Sequence, residues 1–236
     1  MSTIDGVVAF DTEGRSGGGE VSGFADSDRF LMGLLRAMAD VVLIGAGTVR
    51  AAPTDEWTAR HVRPISAGAY AAWRERIGVA SPEPTTVVAT GRGDLEPGHP
   101  GLSAPDVPVI VATTEQGARR LGPDRLAPNA RLEVVGEGGA VSASDLLRIG
   151  RSAGAGLILC EGGPHLIGDL LRAERLDELF LTVAPQIAGR AAGAERFGLA
   201  EGEAFDVASA PWARLVSVRR AEDHLFLRYR FNWSGA

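Results

Sequence analysis

The chain has 236 residues, 45% of them apolar and 23% charged, which is enough to bury a sizeable core in one large domain or two small ones. Its net charge of -6 and the lack of any Lys/Arg run argue against a general nucleic-acid binder. A single cysteine, Cys160, excludes an internal disulfide framework; no stretch is apolar enough to span a bilayer and no signal peptide opens the chain, so a soluble cytoplasmic protein is expected.

A first strand is predicted over residues 7–10, after an Asp5-Gly6 turn and before a glycine-rich loop over 14–19. Asp26 or Ser27 caps a helix whose apolar face is Phe30, Leu31, Leu34, Leu35 and Met38. Residues 41–44 form the next buried strand, ending in Gly45-Ala46-Gly47-Thr48. Arg50 stands where G-x-G-x-x-G would have its third glycine, so this bend is a weak dinucleotide fingerprint. Residues 51–84 look like an insertion, with an amphipathic helix over 69–77. Strands are predicted over 85–89, 107–112 and 132–135, with a short helix through Leu121 after the second. Ser142 or Ser144 caps a further helix through Ile149.

The stretch 156–185 carries the most information. Residues 157–160 are a continuous apolar run, short enough for a strand covered on both faces. Glu161 and the turn pair Gly162-Gly163 follow, and Pro164 suits the first position of a helix because it has no N–H to lose. Leu166, Ile167, Leu170 and Leu171 recur at helical spacing, and residues 179–183 return as a strand, which makes a β-α-β unit. Such a junction favours an anion, usually a phosphate, at the positive end of the helix. A tight turn that needs two glycines for steric reasons accounts for it equally well. Cys160, among apolar neighbours, reads as a buried and inert thiol.

After Pro185 the period changes. Residues 215–219 alternate, and Leu225, Leu227, Tyr229 and Phe231 take every second position, so the C-terminus reads as an antiparallel hairpin. The expected fold is α/β: a mixed, mainly parallel sheet with helices on both faces, closed by this hairpin, in a single domain. In a parallel sheet the strand ends share one edge, where ligands of open α/β sheets bind. Those ends are Gly45-Ala46-Gly47-Thr48, Thr90-Gly91-Arg92, Thr113-Thr114, Gly136 and Glu161-Gly162-Gly163. Small residues let a long ligand reach the backbone, and the threonine hydroxyls can bond phosphate oxygens. Arg92, the only cation within these bends, can meet a phosphate with a bidentate pair or stand as a solvated loop arginine. His61, His99 and His224 are scattered without metal-ligand spacing, so no metal is expected, and no G-x-S-x-G is present.

These residues resemble a family. The run DRFLMGLLRAMADVVLIGAGTVR from Asp28 and LILCEGGPHLIGDLL from Leu157, with STIDG at 2–6 and VSG at 21–23, are similar to the reductase domain of riboflavin-biosynthesis proteins. These are pyrimidine reductases with the dihydrofolate-reductase-like fold, and the likeness covers nearly the whole chain. It implies NADPH as cofactor, a small heterocyclic substrate, the phosphoribosylaminopyrimidine of riboflavin synthesis, and a homodimer. By its pattern Gly45, Gly47, Thr48, Thr90, Gly91, Arg92, Thr113, Gly162, Gly163, Pro164, His165 and Leu166 line the cofactor. The strand-end argument adds Ala46, Thr114 and Gly136. The substrate pocket draws on Asp5, Ser22, Arg29, Thr48 and Glu161.

Hydride transfer belongs to the cofactor, but the reduction also needs a proton. Glu161 is the best placed carboxylate, either as acid or to orient the substrate, and Asp5 is the second, with a turn role as its alternative. The departures from the family fall on the substrate side. Arg50 to Trp57 reads RAAPTDEW without the acidic pair before proline, Met1 directly precedes STIDG so that either the first strand is shortened or the natural start lies further upstream, and Val21 replaces an aromatic. A dihydrofolate or pterin reductase, and a dinucleotide sensor without turnover, therefore stand beside the main reading.

Overall fold

The structure, a computed structural model, describes residues 1–10, 18–135, 140–193 and 196–233. In chain order the elements are β1 (Ala9–Phe10), α1 (Gly18–Ser22), α2 (Asp26–Met38), β2 (Val41–Gly45), α3 (Ala46–Ala51), α4 (Ala59–Val62) and α5 (Ala67–Arg76). There follow β3 (Thr85–Thr90), α6 (Pro100–Ser103), β4 (Val109–Thr113), α7 (Glu115–Leu121), β5 (Ala130–Val134), α8 (Ala143–Ser152) and β6 (Ile158–Cys160). The chain closes with α9 (Pro164–Arg172), β7 (Glu178–Val183), β8 (Arg196–Phe197), β9 (Ala213–Ala221) and β10 (His224–Phe231). They form two compact units, a central one of Arg29–Gly163 and a terminal one of Met1–Asp28 with Pro164–Ala236.

The central unit is built on a five-stranded sheet of order β5-β4-β3-β2-β6, parallel throughout. Val41 to Ile44 and Val109 to Ala112 are at most 1% exposed, because inner strands of a parallel sheet are covered on both faces and must be apolar throughout. One side of the sheet packs Val42, Ile44, Val88 and Val111 against Val49, Trp57, Leu102 and Leu121. β6 is shorter than the sequence suggests and only half-buried, with Leu157 46% exposed. Its place at the sheet edge accounts for this, since it has one neighbour instead of two. Within the stretch 51–84, Trp57, Ala59, Tyr70 and Arg74 are buried. Arg74 donates to the carbonyls of Ala37, Ala39 and Ser81, which ties α5 to the end of α2. Ser142 caps α8 in a reciprocal box with Asp145, each side chain accepting from the other's N–H.

The terminal unit holds a three-stranded antiparallel sheet of order β7-β10-β9 and the two-residue pair β1·β8. The predicted hairpin is β9–β10, turned at Glu222-Asp223 with Glu222 at φ 51°. β7 differs from the β-α-β expectation. It pairs antiparallel with β10, from Leu225 opposite Val183 to Arg230 opposite Glu178, and not with the parallel strands. Phe180 and Thr182 alternate with Leu179 and Leu181, so β7 has the two-faced pattern of an antiparallel strand. Of the glycine-rich loop expected over 14–19, residues 14–17 lie outside the described residues, and Gly18 and Gly19 open α1. Among the described residues no helix is long and apolar enough to cross a membrane.

Candidate functional site

Because β2, β3, β4 and β6 run parallel, their C-terminal ends fall along one edge of the central sheet, and there the glycine and threonine bends meet. Gly45 ends β2 and caps α3, and its N–H donates to the Gly162 carbonyl at 2.7 Å. A Cβ on Gly45 would stand 3.5 Å from the Gly163 nitrogen, and one on Gly163 would stand 3.6 Å from Thr48 Oγ1. The bend thus packs backbone on backbone with the half-buried Thr48 hydroxyl beside it. Gly162 sits at φ 89°, a conformation that favours glycine, and the Gly162–Gly163 peptide is cis. The N–H of Gly163 finds no acceptor among the described residues. Ala46 is buried at the start of α3 and Gly47 is exposed beside it. Gly136 lies outside the described residues.

The threonines at the ends of β3 and β4 are engaged with the backbone. Thr113 Oγ1 donates to the Thr90 carbonyl at 2.6 Å, and Thr114 Oγ1 donates to the Gly91 carbonyl at 2.7 Å. Thr90 Oγ1 accepts from Gly93 N–H at 3.1 Å. The protons of Thr113 and Thr114 are therefore committed, and these hydroxyls do not donate to a phosphate as the sequence suggests; they shape the loop that carries Arg92. Arg92 is exposed and has no ion-pair or hydrogen-bond partner among the described residues. Two neighbouring cations are bound to Asp94 instead, Arg50 through the carbonyl at 3.1 Å and Arg120 through the carboxylate at 3.1 Å.

Glu161 is not a free carboxylate. Its two oxygens accept from Arg36 Nε at 2.7 Å and Nη2 at 2.8 Å, with side chains 9% and 7% exposed. Arg36 spends Nη1 on the carbonyls of Glu56 and Thr58, each at 3.2 Å. Both carboxylate oxygens are thus engaged as acceptors from one guanidinium, which ties Glu161 to Arg36. Arg36 carries no signal in the sequence, because it lies off the apolar stripe Phe30, Leu31, Leu34, Leu35 and Met38 and looks like an ordinary polar-face arginine of α2. Next to Glu161, Cys160 is half-buried, and burial pushes its thiol up to about 12, which removes it as a nucleophile. Arg29 donates from Nε to the Val62 carbonyl at 2.9 Å.

In the terminal unit, the Asp5 carboxylate accepts from Thr3 Oγ1 at 2.6 Å, Gly189 N–H at 2.8 Å and Ala188 N–H at 3.1 Å. The Thr3 hydroxyl and these amides hold it down to about 2, so Asp5 is anionic throughout the physiological range and ties a turn rather than supplying protons. Ser22 is buried; its hydroxyl donates to the Gly19 carbonyl at 3.3 Å, and its own carbonyl lies 3.0 Å from His224 Nε2. Pro164 opens α9, Leu166 is buried, and the exposed His165 ring meets Phe197 edge-on at 6.1 Å. Among the described residues no group of three or more His, Cys, Asp or Glu is placed to hold a metal ion.

Residues 1–224 match the family described as the RibD C-terminal domain. Among solved structures, the chain is similar to the diaminohydroxyphosphoribosylaminopyrimidine deaminase/5-amino-6-(5-phosphoribosylamino)uracil reductase of Thermotoga maritima. The identity is 20%, the TM-score 0.68, and the match covers 98% of this chain but 54% of that one, so this chain spans about half that protein's length. A pyrimidine reductase-like protein of Corynebacterium diphtheriae is 18% identical, with 99% and 90% of the two chains covered and a TM-score of 0.74. The riboflavin biosynthesis reductase Rib7 of Saccharomyces cerevisiae is 14% identical, with 98% and 86% covered and a TM-score of 0.61. At these identities the likeness shows the fold. No protein of curated function matches the sequence.

Proposed function

The chain belongs to the RibD C-terminal domain family, and from that membership we propose that it is a cytoplasmic, NADPH-dependent reductase of 5-amino-6-(5-phosphoribosylamino)uracil or a closely related heterocycle. The observation that carries the reading is the edge of the central sheet. Glycine bends after β2 and β6 bring backbone free of side chains together, and among the described residues the Gly163 N–H has no acceptor and the Arg92 guanidinium, on the clamped bend after β3, has no partner. Backbone without side chains, an unused donor and an exposed cation suit a long anionic ligand such as a dinucleotide phosphate.

When bound, the cofactor supplies hydride and the protein supplies binding and orientation. In this proposal Gly45, Gly47, Thr48, Gly162 and Gly163 form the floor on which the dinucleotide lies, and Arg92 reads its phosphate. Glu161 holds the bend and Asp5 holds its own turn, so the proton that accompanies reduction comes from water. Homodimer formation belongs to the same proposal. One face of the antiparallel sheet pairs Leu227 with Leu181 and Val218, and Tyr229 with Leu179 and Leu215, and leaves Leu215 47% and Val218 49% exposed. An apolar face of this kind suits a second copy, and sedimentation of the wild type against Val218→Asp tests it.

The deciding experiment for the activity is anaerobic NADPH oxidation with the pyrimidine intermediate, dihydrofolate and related pterins as acceptors. Turnover of the pyrimidine supports the proposal. Turnover of dihydrofolate alone moves the substrate to the pterin class, and cofactor binding without turnover on any acceptor leaves a sensor.

A further inference from the structure

We infer that Arg36 is a positioning residue for the Glu161-Gly162-Gly163 bend, acting through the Glu161 carboxylate; the inference rests on the reading of that bend as the nucleotide floor. Arg36 is 6% exposed and donates to both Glu161 oxygens and to the carbonyls of Glu56 and Thr58, which joins α2, the loop before α4 and the end of β6. Taking a guanidinium and a carboxylate out of water is costly, and two apolar side chains of the same volume often hold a fold together at least as well. What apolar side chains cannot supply is direction. The planar fork fixes both carboxylate oxygens, and with them the rotamer of the residue that enters the bend.

The next two residues need that support because they have no side chains of their own. Gly162 is at φ 89° and Gly163 follows it, so neither has a side-chain rotamer or side-chain bond to fix it. The backbone provides two fixed points, Glu161 N–H to the Leu43 carbonyl at 2.9 Å and Gly45 N–H to the Gly162 carbonyl at 2.7 Å. The ion pair provides a third, at the side chain of Glu161 just after β6. Three attachments determine where the unpaired Gly163 N–H points, and this N–H is the donor that the proposed ligand would meet.

The test uses the full chain carrying Arg36→Met together with Glu161→Leu, which exchanges the pair for apolar volume. Melting temperature, NADPH affinity by titration and amide exchange at Gly45 and Glu161, whose N–H groups bond the Gly162 and Leu43 carbonyls, are measured. A displaced bend is expected to weaken NADPH about 10- to 100-fold and to speed exchange at the Gly45 and Glu161 amides, whose bonds to the Gly162 and Leu43 carbonyls it loosens, with melting close to that of the wild type. A variant that melts like the wild type and keeps both affinity and exchange rates overturns the inference, because the pair would then serve stability alone. Should the wild type bind no NADPH, the nucleotide reading fails. Exchange at Gly45 and Glu161 then decides the positioning role by itself, faster exchange in the double variant supporting it and equal exchange refuting it. If the double variant does not fold, Arg36→Lys gives the same three readouts. It keeps the charge and loses the fork, so wild-type affinity and exchange in that variant equally refute the inference.

Discussion

Thr114 Oγ1 donates to the Gly91 carbonyl at 2.7 Å and accepts from Gly117 N–H at 3.2 Å, so one hydroxyl both holds the bend after β3 and caps α7. Thr114→Val keeps the shape and removes both bonds. Loss of a cap alone costs about 0.5–2 kcal/mol, and the released Gly91 carbonyl adds to it. We expect a lower melting temperature together with weaker NADPH binding, since the loop that carries Arg92 is freed, and we expect Thr114→Ser to restore most of both. Thermal denaturation and cofactor titration on the two variants check this. Wild-type NADPH affinity in a destabilised Thr114→Val protein would show that the clamp does not shape the site.

Much of the central unit was legible because burial on both faces leaves a plain mark. The apolar runs at Val41 and Val109 had to be inner strands, and the glycines and threonines after them had to be bends. Pro164 and Ser142 marked helix starts for reasons local to the chain. What could not be read was set by distance in sequence. Arg36 and Glu161 are 125 residues apart, and nothing near either one announces the other. The threonine hydroxyls look like free donors in the sequence because their acceptors are 23 residues away, at the end of β3 and in the bend after it. The partner of β7 was obscured for the opposite reason: an apolar strand after a helix fits a parallel crossover as well as it fits β10.

The two glycines of the bend are predicted to fail in different ways. Gly162 is at φ 89°, where a side chain is strained, whereas Gly163 is not in the left-handed region and a methyl there meets Thr48 Oγ1 at an ordinary 3.6 Å. Of the two reasons a glycine can be needed at Gly163, close approach of a ligand or a left-handed φ, the structure gives the second to Gly162. Gly162→Ala should lower stability by about 1 kcal/mol or more. Gly163→Ala should leave melting near the wild-type value and weaken NADPH, because the methyl occupies the floor. Equal affinity for NADPH in a well-folded Gly163→Ala would take that residue out of the site.

Asp5 gives a pH dependence whose sign follows from its environment. The Thr3 hydroxyl first, then the Ala188 and Gly189 amides, hold the carboxyl at about 2, below its ordinary 3.8. A depressed carboxyl contributes stability that is complete above its unfolded value and is lost as the pH falls from 3.8 through about 2. Asp5→Asn should therefore melt below the wild type near neutral pH, and the gap should close across that acid window. The pH profile of turnover near neutrality should keep its shape in the variant, since Asp5 does not titrate there. A gap in melting that stays constant down to the acid end would mean the stabilisation does not come from the carboxylate.

Cofactor choice rests on Arg92. NADPH differs from NADH by a 2′-phosphate, and Arg92 is an exposed cation without a partner among the described residues, on a loop fixed by Thr113 and Thr114. The nearby cations Arg50 and Arg120 are held by Asp94 and are less available. A charge-assisted hydrogen bond contributes roughly 1.5–3 kcal/mol, or about 10- to 100-fold in affinity. Arg92→Ala should weaken NADPH by about that factor and leave NADH almost unchanged. Because the residue is exposed, added salt should reduce the preference of the wild type for NADPH and have little effect on the variant. Arg92→Lys should keep part of the preference, since it retains the charge and loses the planar fork. Equal losses for both dinucleotides in Arg92→Ala would move the contact to the pyrophosphate that they share, and no loss for either would leave Arg92 a solvated loop residue.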